Sequence, residues 1–331
     1  MDLATTYMGL RLRNPIVASA SPLCGNVPNI QALQEAGAGA VVLPSVFEEQ
    51  IEAEQREVPA ESSRYVPNLN ANAAGTARYL DVIRRARGAV EIPVIASLNG
   101  ITSEGWIDFA KHIEEAGAHA IELNIYFIPA DLSSTAADVE RRYVEIVRSV
   151  RETVRIPIAV KLGPYFSALG AFAQSLQGAG ADALVLFNRF YQPDIDLEAL
   201  SLRNELDLSS TDEMRLPLLW IAVLAGRVKA SLAASTGVDG WEEIAKYLLA
   251  GADVVMTTSA LLRHGIDRMT SLVGGLEAWM RARGYDSPEE FRGLLSRERA
   301  ADAIALERAN YIHVLESFSG APPSITGGWR P

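Results

Sequence analysis

The segment Ala250-Gly251-Ala252-Asp253-Val254-Val255-Met256 joins a small, glycine-containing turn to a run of apolar residues. The same Ala-Gly-Ala phrase, followed each time by a short apolar run, also begins at Ala36, Ala116 and Ala179. Each copy comes after an amphipathic segment such as 106–115, so its glycine fits the left-handed residue that ends a helix. The repeat therefore predicts helices that are each followed directly by a strand.

The apolar runs after the repeats are typical of parallel strands that are buried on both faces. Two further strands begin with Ile-Pro, where proline at a strand start sacrifices no ladder hydrogen bond. With one strand at the front of the chain and one before the last repeat, eight strands are predicted, at 15–18, 41–43, 92–97, 120–123, 156–161, 183–186, 229–233 and 254–256. Eight alternating β and α units close into a (β/α)8 TIM barrel with right-handed crossovers.

An open, doubly wound sheet is the competing fold, and it is disfavoured because no Gly-x-Gly-x-x-Gly follows the first strand. We predict one barrel domain over 1–283 and a helical C-terminal extension over 284–331, packed on the barrel or on a neighbouring subunit, with a final helix over 297–317. The long segments 44–75 and 189–217 follow strands. They are expected to cover the carboxyl-terminal mouth of the barrel as lids or subunit contacts.

The charge and composition narrow the class of partner. The net charge of −11, from 41 acidic and 30 basic residues, argues against nucleic-acid and anionic-membrane surfaces. A single cysteine, Cys24, and four scattered histidines provide no disulfide and no metal-ligand spacing, so no metal is expected. The start of the chain resembles no export signal, and no long apolar run follows. These features predict a cytoplasmic protein that acts on a small molecule or on another protein.

Polar residues follow the predicted strands, at the end of a barrel where catalytic residues lie. Lys161 is the most informative, because it ends an otherwise apolar strand and needs an anionic or electron-rich partner in the mouth. The alternative is a lysine that reaches bulk water. Asn124 and Asn188 suit the edge of a planar heterocycle, or else cap loops. The other candidates at strand ends are Ser19, Ser21, Ser45, Ser97 and Asn99.

Two adjacent strand ends are suited to a phosphate. Thr236-Gly237 and Thr258-Ser259 follow the seventh and eighth strands and offer hydroxyl and backbone N–H groups before a predicted helix. Ordinary N-capping by threonine and serine is the alternative for any one of these residues. Their occurrence on neighbouring strands favours phosphate binding.

The chain resembles the dihydroorotate dehydrogenase family, and in particular bacterial dihydroorotate dehydrogenase-like proteins, over about residues 1–265. The resemblance is carried by the segments 14–20, 122–125, 160–162, 235–240 and 249–253. It implies an FMN whose ring lies across the mouth, near Ala18 and Ser19, with Lys161 at its electron-rich edge. Asn124 and Asn188 would lie between flavin and substrate, with the phosphate on Thr236, Gly237, Thr258 and Ser259. Ser45 and Asn99 are assigned to the same cofactor site.

Two departures from the family pattern concern the substrate side. The family's lysine after the second strand is replaced by Pro44, and the cysteine or serine that takes the substrate proton is replaced by Phe127. A phenylalanine cannot act as a base, which makes activity on dihydroorotate doubtful. Tyr126 is the nearest ionisable substitute, and a pKa of about 10 suits a proton donor better than a base. A packing role is its alternative.

The sequence therefore predicts an FMN-dependent oxidoreductase of the dihydroorotate dehydrogenase type, in pyrimidine biosynthesis, with Lys161 and Tyr126 as catalytic candidates. Its substrate would be small and planar, an orotate-like compound being one candidate. A non-catalytic or electron-relaying flavin subunit of a partner oxidoreductase is the alternative. A flavin-free lyase or isomerase is a third, for which Glu122 is the one acidic side chain inside a strand. A homodimer or an electron-transfer partner is the expected assembly.

Overall fold

The computed structural model describes residues 1–49, 51, 75–100, 104–189, 193–203, 207–299 and 312, with the backbone alone for 104–106. Its strands are β1 (Thr5–Tyr7), β2 (Leu10–Leu12), β3 (Ile16–Ala18), β4 (Ala40–Phe47), β5 (Val94–Gly100), β6 (Ala120–Ile125), β7 (Ile158–Leu162), β8 (Ala183–Leu186), β9 (Asp194–Asp196), β10 (Ser201–Arg203), β11 (Ser231–Ala234) and β12 (Val254–Thr257). Its α-helices are α1 (Val27–Glu35), α2 (Thr76–Ala89), α3 (Glu104–Glu115), α4 (Ala136–Thr153), α5 (Leu169–Ala179), α6 (Arg215–Leu224), α7 (Trp241–Ala250), α8 (Ser259–His264) and α9 (Arg268–Arg283).

Eight parallel strands close into a barrel in the order β11-β12-β3-β4-β5-β6-β7-β8. All eight predicted strands are present, so the predicted (β/α)8 fold is confirmed. The largest difference is β4, which runs on to Phe47 and shifts its register against β5 between Val42 and Ser45. Pro44 lies inside this irregularity, where a residue without an N–H can be accommodated in a ladder.

The glycine of the repeat ends helices as predicted. Gly180 (φ +110°) and Gly251 (φ +117°) are left-handed C-caps of α5 and α7. A Cβ at Gly251 would also lie 2.3 Å from the Cβ of Ala225, so both conformation and space require glycine. The chain then turns straight into the next strand, which is why the spacing of the repeat is so even.

A hairpin of β1 and β2 closes the amino-terminal end of the barrel. Tyr7, Met8 and Leu12 are buried in the barrel interior, in one cluster with the small side chains of Ala40, Ala120, Ala159, Ala183 and Ala233. The hydroxyl of Thr5 donates to the carbonyl of Asp253, and the Met8 N–H donates to the hydroxyl of Ser231. The alanines leave the space that the hairpin fills, so this end is a packed floor.

The long segments after strands are only partly described. Of 44–75, residue 50 and residues 52–74 lie outside the described part, and of 189–217, residues 190–192 and 204–206 do. Within the second segment, β9 and β10 form an antiparallel hairpin that pairs Ile195 with Leu202. The hairpin exposes Ile195, Leu197, Leu200 and Leu202 to solvent.

The C-terminal extension is described only in its first part. After α9, Gly284 takes the left-handed conformation and two 3₁₀ turns follow, at Pro288–Glu290 and Arg297–Arg299. The predicted helix 297–317 begins with the second of these turns, and beyond it only residue 312 is described. The division at residue 283 stays a prediction. Among the residues described, no helix is both long and apolar enough to span a membrane.

Candidate active site

The strand ends converge on a cavity of about 250 Å³ at the carboxyl-terminal mouth. A neighbouring cavity of about 320 Å³ shares Phe187, Asn188, Arg189 and Thr236 with it, which extends the open space along the ends of β7 and β8. The predicted site residues that line the first cavity are Ser19, Lys161, Asn188, Thr236, Gly237, Thr258 and Ser259. The geometry therefore brings the predicted lysine, one amide and the predicted phosphate residues to one place.

The remaining cofactor-site candidates are not among the residues that line this cavity, and they lie on the strands β3 to β6. Asn124 is in register with Lys161 and with Asn99, and its side-chain oxygen accepts a hydrogen bond from Asn188 Nδ2 at 2.8 Å. Ser45 pairs with the hydroxyl of Ser97 at 2.8 Å. Ala18, at the end of β3, is fully buried. The two amides form one preorganised donor and acceptor unit in the mouth.

Lys161 and Glu122 form an ion pair inside the barrel. Lys161 Nζ lies 3.6 Å from Glu122 Oε1, and the side chains are 11% and 1% exposed. In the register of the sheet, Asn124 is opposite Lys161 and Glu122 is opposite Ala159, so the carboxylate lies one layer deeper. Within the described part of the chain, neither carboxylate oxygen has a hydrogen-bond partner. The sequence left the role of Glu122 open, and the structure places it under the lysine.

The interior below Glu122 is also polar at one point. The hydroxyl of Tyr7, on the floor hairpin, is buried, and among the described residues it has no hydrogen-bond partner. Burial raises the pKa of Tyr7 well above its usual value, and the negative charge of Glu122 raises it further. Tyr7 therefore stays a neutral phenol and adds no charge to the ion pair.

Thr236, one of the residues predicted to bind phosphate, has a strained backbone. Its φ is +83°, in a region that β-branched residues rarely occupy. Its hydroxyl donates to the carbonyl of Phe187 at 3.2 Å, and its own carbonyl accepts from the hydroxyl of Tyr247 at 2.8 Å. These bonds hold Thr236 in its left-handed conformation.

Ser209 is a site residue that the sequence did not single out. Its hydroxyl accepts the Gly237 N–H at 3.3 Å and bonds to the Ser259 hydroxyl at 2.9 Å. Asp207 and Leu208 line the cavity beside it. Segment 189–217 was predicted to cover the mouth, and Ser209 belongs to it. Its contacts with Gly237 and Ser259 depend on the path of this segment past the ends of β11 and β12.

Phe127, at the position of the family's base, packs into an aromatic cluster. Its ring centroid is 5.8 Å from that of Tyr143, which also contacts Phe166 and Phe172, and the Arg142 guanidinium lies 4.6 Å from the Phe127 centroid. Phe127 is not among the residues that line the mouth cavity. The ring therefore has a packing role between β6 and α4.

Neither Tyr126 nor the single cysteine lines this cavity. Tyr126 follows β6 directly, is half-buried and is not among the lining residues. Cys24 is buried, and burial raises the pKa of its thiol to about 12, so it is protonated at neutral pH. Tyr126 therefore supplies no base to this cavity. Its catalytic role stays a prediction.

A closed barrel with a lysine, paired amides and hydroxyl groups at its mouth is typical of barrel enzymes, whose active sites lie at the carboxyl-terminal strand ends. The dihydroorotate dehydrogenase family model matches residues 2–280, and the chain belongs to that family. A putative dihydroorotate dehydrogenase A (fumarate) of Aeropyrum pernix is 29% identical, over 89% of this chain and 98% of its own length.

Two further relatives are catalytic subunits of dihydroorotate dehydrogenase B (NAD(+)). The one from Methanothermobacter thermautotrophicus is 26% identical over 88% of this chain and 98% of its own length. The one from Methanosarcina mazei is 28% identical over 88% of this chain and 95% of its own length. The predicted family and the predicted enzyme class, an oxidoreductase of the dihydroorotate dehydrogenase type, are confirmed.

Proposed function

We propose that this protein binds FMN at the barrel mouth and oxidises or reduces a carbon–carbon bond of a small planar substrate. The observation that carries the proposal is the position of Lys161, whose ammonium lines the mouth cavity at the end of a buried strand. A cation at this place suits a ring that gains negative charge on reduction. A place in pyrimidine biosynthesis and a cytoplasmic location are parts of the same proposal and rest on the family and the composition.

The residues of the mouth fit the cofactor chemically. Lys161 lines the cavity above its ion-pair partner Glu122, whose carboxylate accepts no hydrogen bond from the described residues, and Asn124 with Asn188 offers N–H and oxygen groups for a heterocycle edge. The phosphate would be held by the hydroxyl and N–H groups of Thr236, Gly237, Thr258 and Ser259, with Ser19 and Ala18 near the ring. Ser45 and Asn99 complete the proposed wall. When bound, FMN supplies the hydride acceptor or donor.

The packed position of Phe127 makes dihydroorotate an unfavourable substrate. Its oxidation needs a base within hydrogen-bond reach of the substrate proton, a contribution of about 10²- to 10⁴-fold, and a ring inside an aromatic cluster supplies none. Tyr126, the proposed proton donor, suits reduction of an orotate-like compound better. We therefore propose that reduction of the substrate is the favoured direction.

A flavin-binding subunit of a partner oxidoreductase is the second candidate, and the hairpin of β9 and β10 favours it. Ile195 pairs with Leu202 across this hairpin, Leu197 and Leu200 lie in its turn, and all four are between 60% and 84% exposed. An exposed apolar face of this kind marks a protein contact. A homodimer through the same face would serve the first candidate equally well.

The experiment is to purify the protein, record its visible spectrum and titrate it with FMN. We expect a yellow protein, with binding that weakens at least tenfold in Lys161→Met and is unchanged in Lys246→Met, a lysine outside the mouth. A colourless protein that refuses added FMN would refute the proposal. Orotate, fumarate and NAD are then screened for reoxidation of the reduced protein, because the names of the relatives include fumarate and NAD(+). Bound flavin without turnover, together with a stable complex on pull-down, would favour the second candidate.

A further inference from the structure

Glu122 is a buried acidic residue that has no role in the proposed function so far. It is not one of the proposed cofactor contacts. It lies in the middle of β6 with its side chain 1% exposed, and in the described structure neither oxygen accepts a hydrogen bond. Buried carboxylates normally have several hydrogen bonds, because leaving them unpaired costs several kcal/mol. Among the described residues, the cation paired with Glu122 is Lys161, so the presence of this carboxylate needs an explanation that involves the lysine.

We propose that Glu122 is a positioning residue for the flavin site: it holds the Lys161 ammonium beneath the ring and offsets its charge, which lowers the reduction potential of the bound flavin. This inference rests on the proposed function. Lys161 lines the cavity above and faces Glu122 below. A lysine bound from below in this way can present its ammonium upward without being drawn to solvent.

The geometry suits a loose rather than a locked pair. The distance of 3.6 Å between Lys161 Nζ and Glu122 Oε1 is longer than a charge-assisted hydrogen bond of about 2.8 Å. The ammonium therefore keeps donors available for a ligand in the mouth. The carboxylate lies one layer farther from the mouth, so its charge acts on the ring more weakly than that of the lysine but with the opposite sign.

The surroundings of the pair strengthen this effect. Ala159 in β7 and Ser97 in β5 are opposite Glu122, and both are buried. Tyr7, on the floor hairpin, stays neutral. Charges in a buried interior of this kind are poorly screened, so removal of one of them is felt across a layer of the barrel. A carboxylate that served only to fill space could be replaced by its amide without any effect on the flavin.

The test is the midpoint potential of the FMN-loaded protein, in the wild type, Glu122→Gln and Lys161→Met. Glu122→Gln keeps the shape and removes the charge, and it should raise the potential by about 30 mV, a tenfold change for a two-electron couple. Lys161→Met should lower the potential. Glu243→Gln is the matched control, because Glu243 is also buried and lies 3.7 Å from a lysine, Lys246, but outside the mouth; it should leave the potential unchanged.

The outcomes separate the two proposals. A wild type that binds no FMN refutes the proposed function and this inference with it. Bound FMN with an unchanged or lowered potential in Glu122→Gln refutes the inference alone. If Glu122→Gln does not fold, the double variant Glu122→Gln/Lys161→Met decides, since both buried charges are then removed together. Its potential must lie above that of Lys161→Met, and equal potentials would overturn the proposal.

Discussion

The carboxylates at the two ends of the barrel differ in how completely they are hydrogen-bonded. At the amino-terminal end, Asp182 Oδ2 accepts the Ile158 N–H at 2.8 Å and pairs with Arg151, and Asp253 accepts the Leu232 N–H at 2.7 Å and pairs with Arg292. At the mouth, Glu122 accepts no hydrogen bond from the described residues and has only the longer contact with Lys161.

The difference indicates that the amino-terminal end stabilises the fold, whereas the mouth has polar groups that are available to a ligand. Fully satisfied groups stabilise the fold and leave nothing for a ligand to bind. Unsatisfied groups weaken the fold locally and are tolerated where function requires them. The following substitutions test this contrast.

The largest effect is expected for Lys161→Met. It leaves the Glu122 carboxylate buried without a counter-charge, which should lower the free energy of unfolding by about 3–5 kcal/mol. Adding Glu122→Gln should restore most of this loss, because the uncompensated charge is gone. Urea denaturation of the two variants measures the effect. A double variant no more stable than Lys161→Met would show that the two groups are not coupled.

A smaller effect is expected for Gly237→Ala at the mouth, compared with Gly9→Ala on the floor hairpin. Both glycines have a positive φ, +74° and +76°, but a Cβ at Gly237 would lie 2.7 Å from the Met214 nitrogen, whereas Gly9 has open space. Gly9→Ala should therefore show the backbone strain alone, about 1–2 kcal/mol, and Gly237→Ala roughly 3 kcal/mol with loss of FMN binding. Equal losses of stability in the two variants would mean that the 210–214 segment yields freely.

At the amino-terminal end, Asp182→Ala should cost about 1–2 kcal/mol, chiefly because the Ile158 N–H loses its acceptor. The ion pair with Arg151 adds little, since the Asp182 side chain is 42% exposed. FMN binding should not change. Asp194→Ala, on the exposed hairpin, is the control and should leave the thermal midpoint within 1 °C or so of the wild type. Weaker FMN binding in Asp182→Ala would contradict the separation of the two ends.

The smallest effect is expected for His119→Asp, which copies the aspartate that two of the other three repeats have at this position, Asp182 and Asp253. His119 Nδ1 accepts the Val94 N–H at 3.0 Å, and burial together with the charge of Arg87 lowers its pKa. The unfolded chain therefore binds more protons than the folded one just below pH 6.5, and stability falls as the pH falls through that window. The aspartate should flatten this dependence by less than about 1 kcal/mol, measured by urea denaturation at pH 5 and pH 7. An unchanged slope would assign the dependence to another group.

The sequence predicted the barrel because each repeat encodes one unit locally: a helix, a glycine cap and a buried strand. It also predicted that Lys161, Asn188 and the Thr-Gly and Thr-Ser pairs lie together at the mouth, because the ends of the barrel strands meet there for any conformation of the loops. Ser209 could not be predicted, since its contact with Gly237 depends on the path of a loop. The ion pair between Glu122 and Lys161 could not be predicted either, because it depends on the register between β6 and β7.

The floor hairpin has a consequence for the way the chain matures. Thr5 and Met8 form hydrogen bonds with Asp253 and Ser231. During synthesis these contacts cannot form until more than two hundred further residues have been added. At about 5–20 residues per second, that delay is roughly 10–50 seconds. During this interval the nascent barrel is open at its base, and its apolar lining is accessible to chaperones.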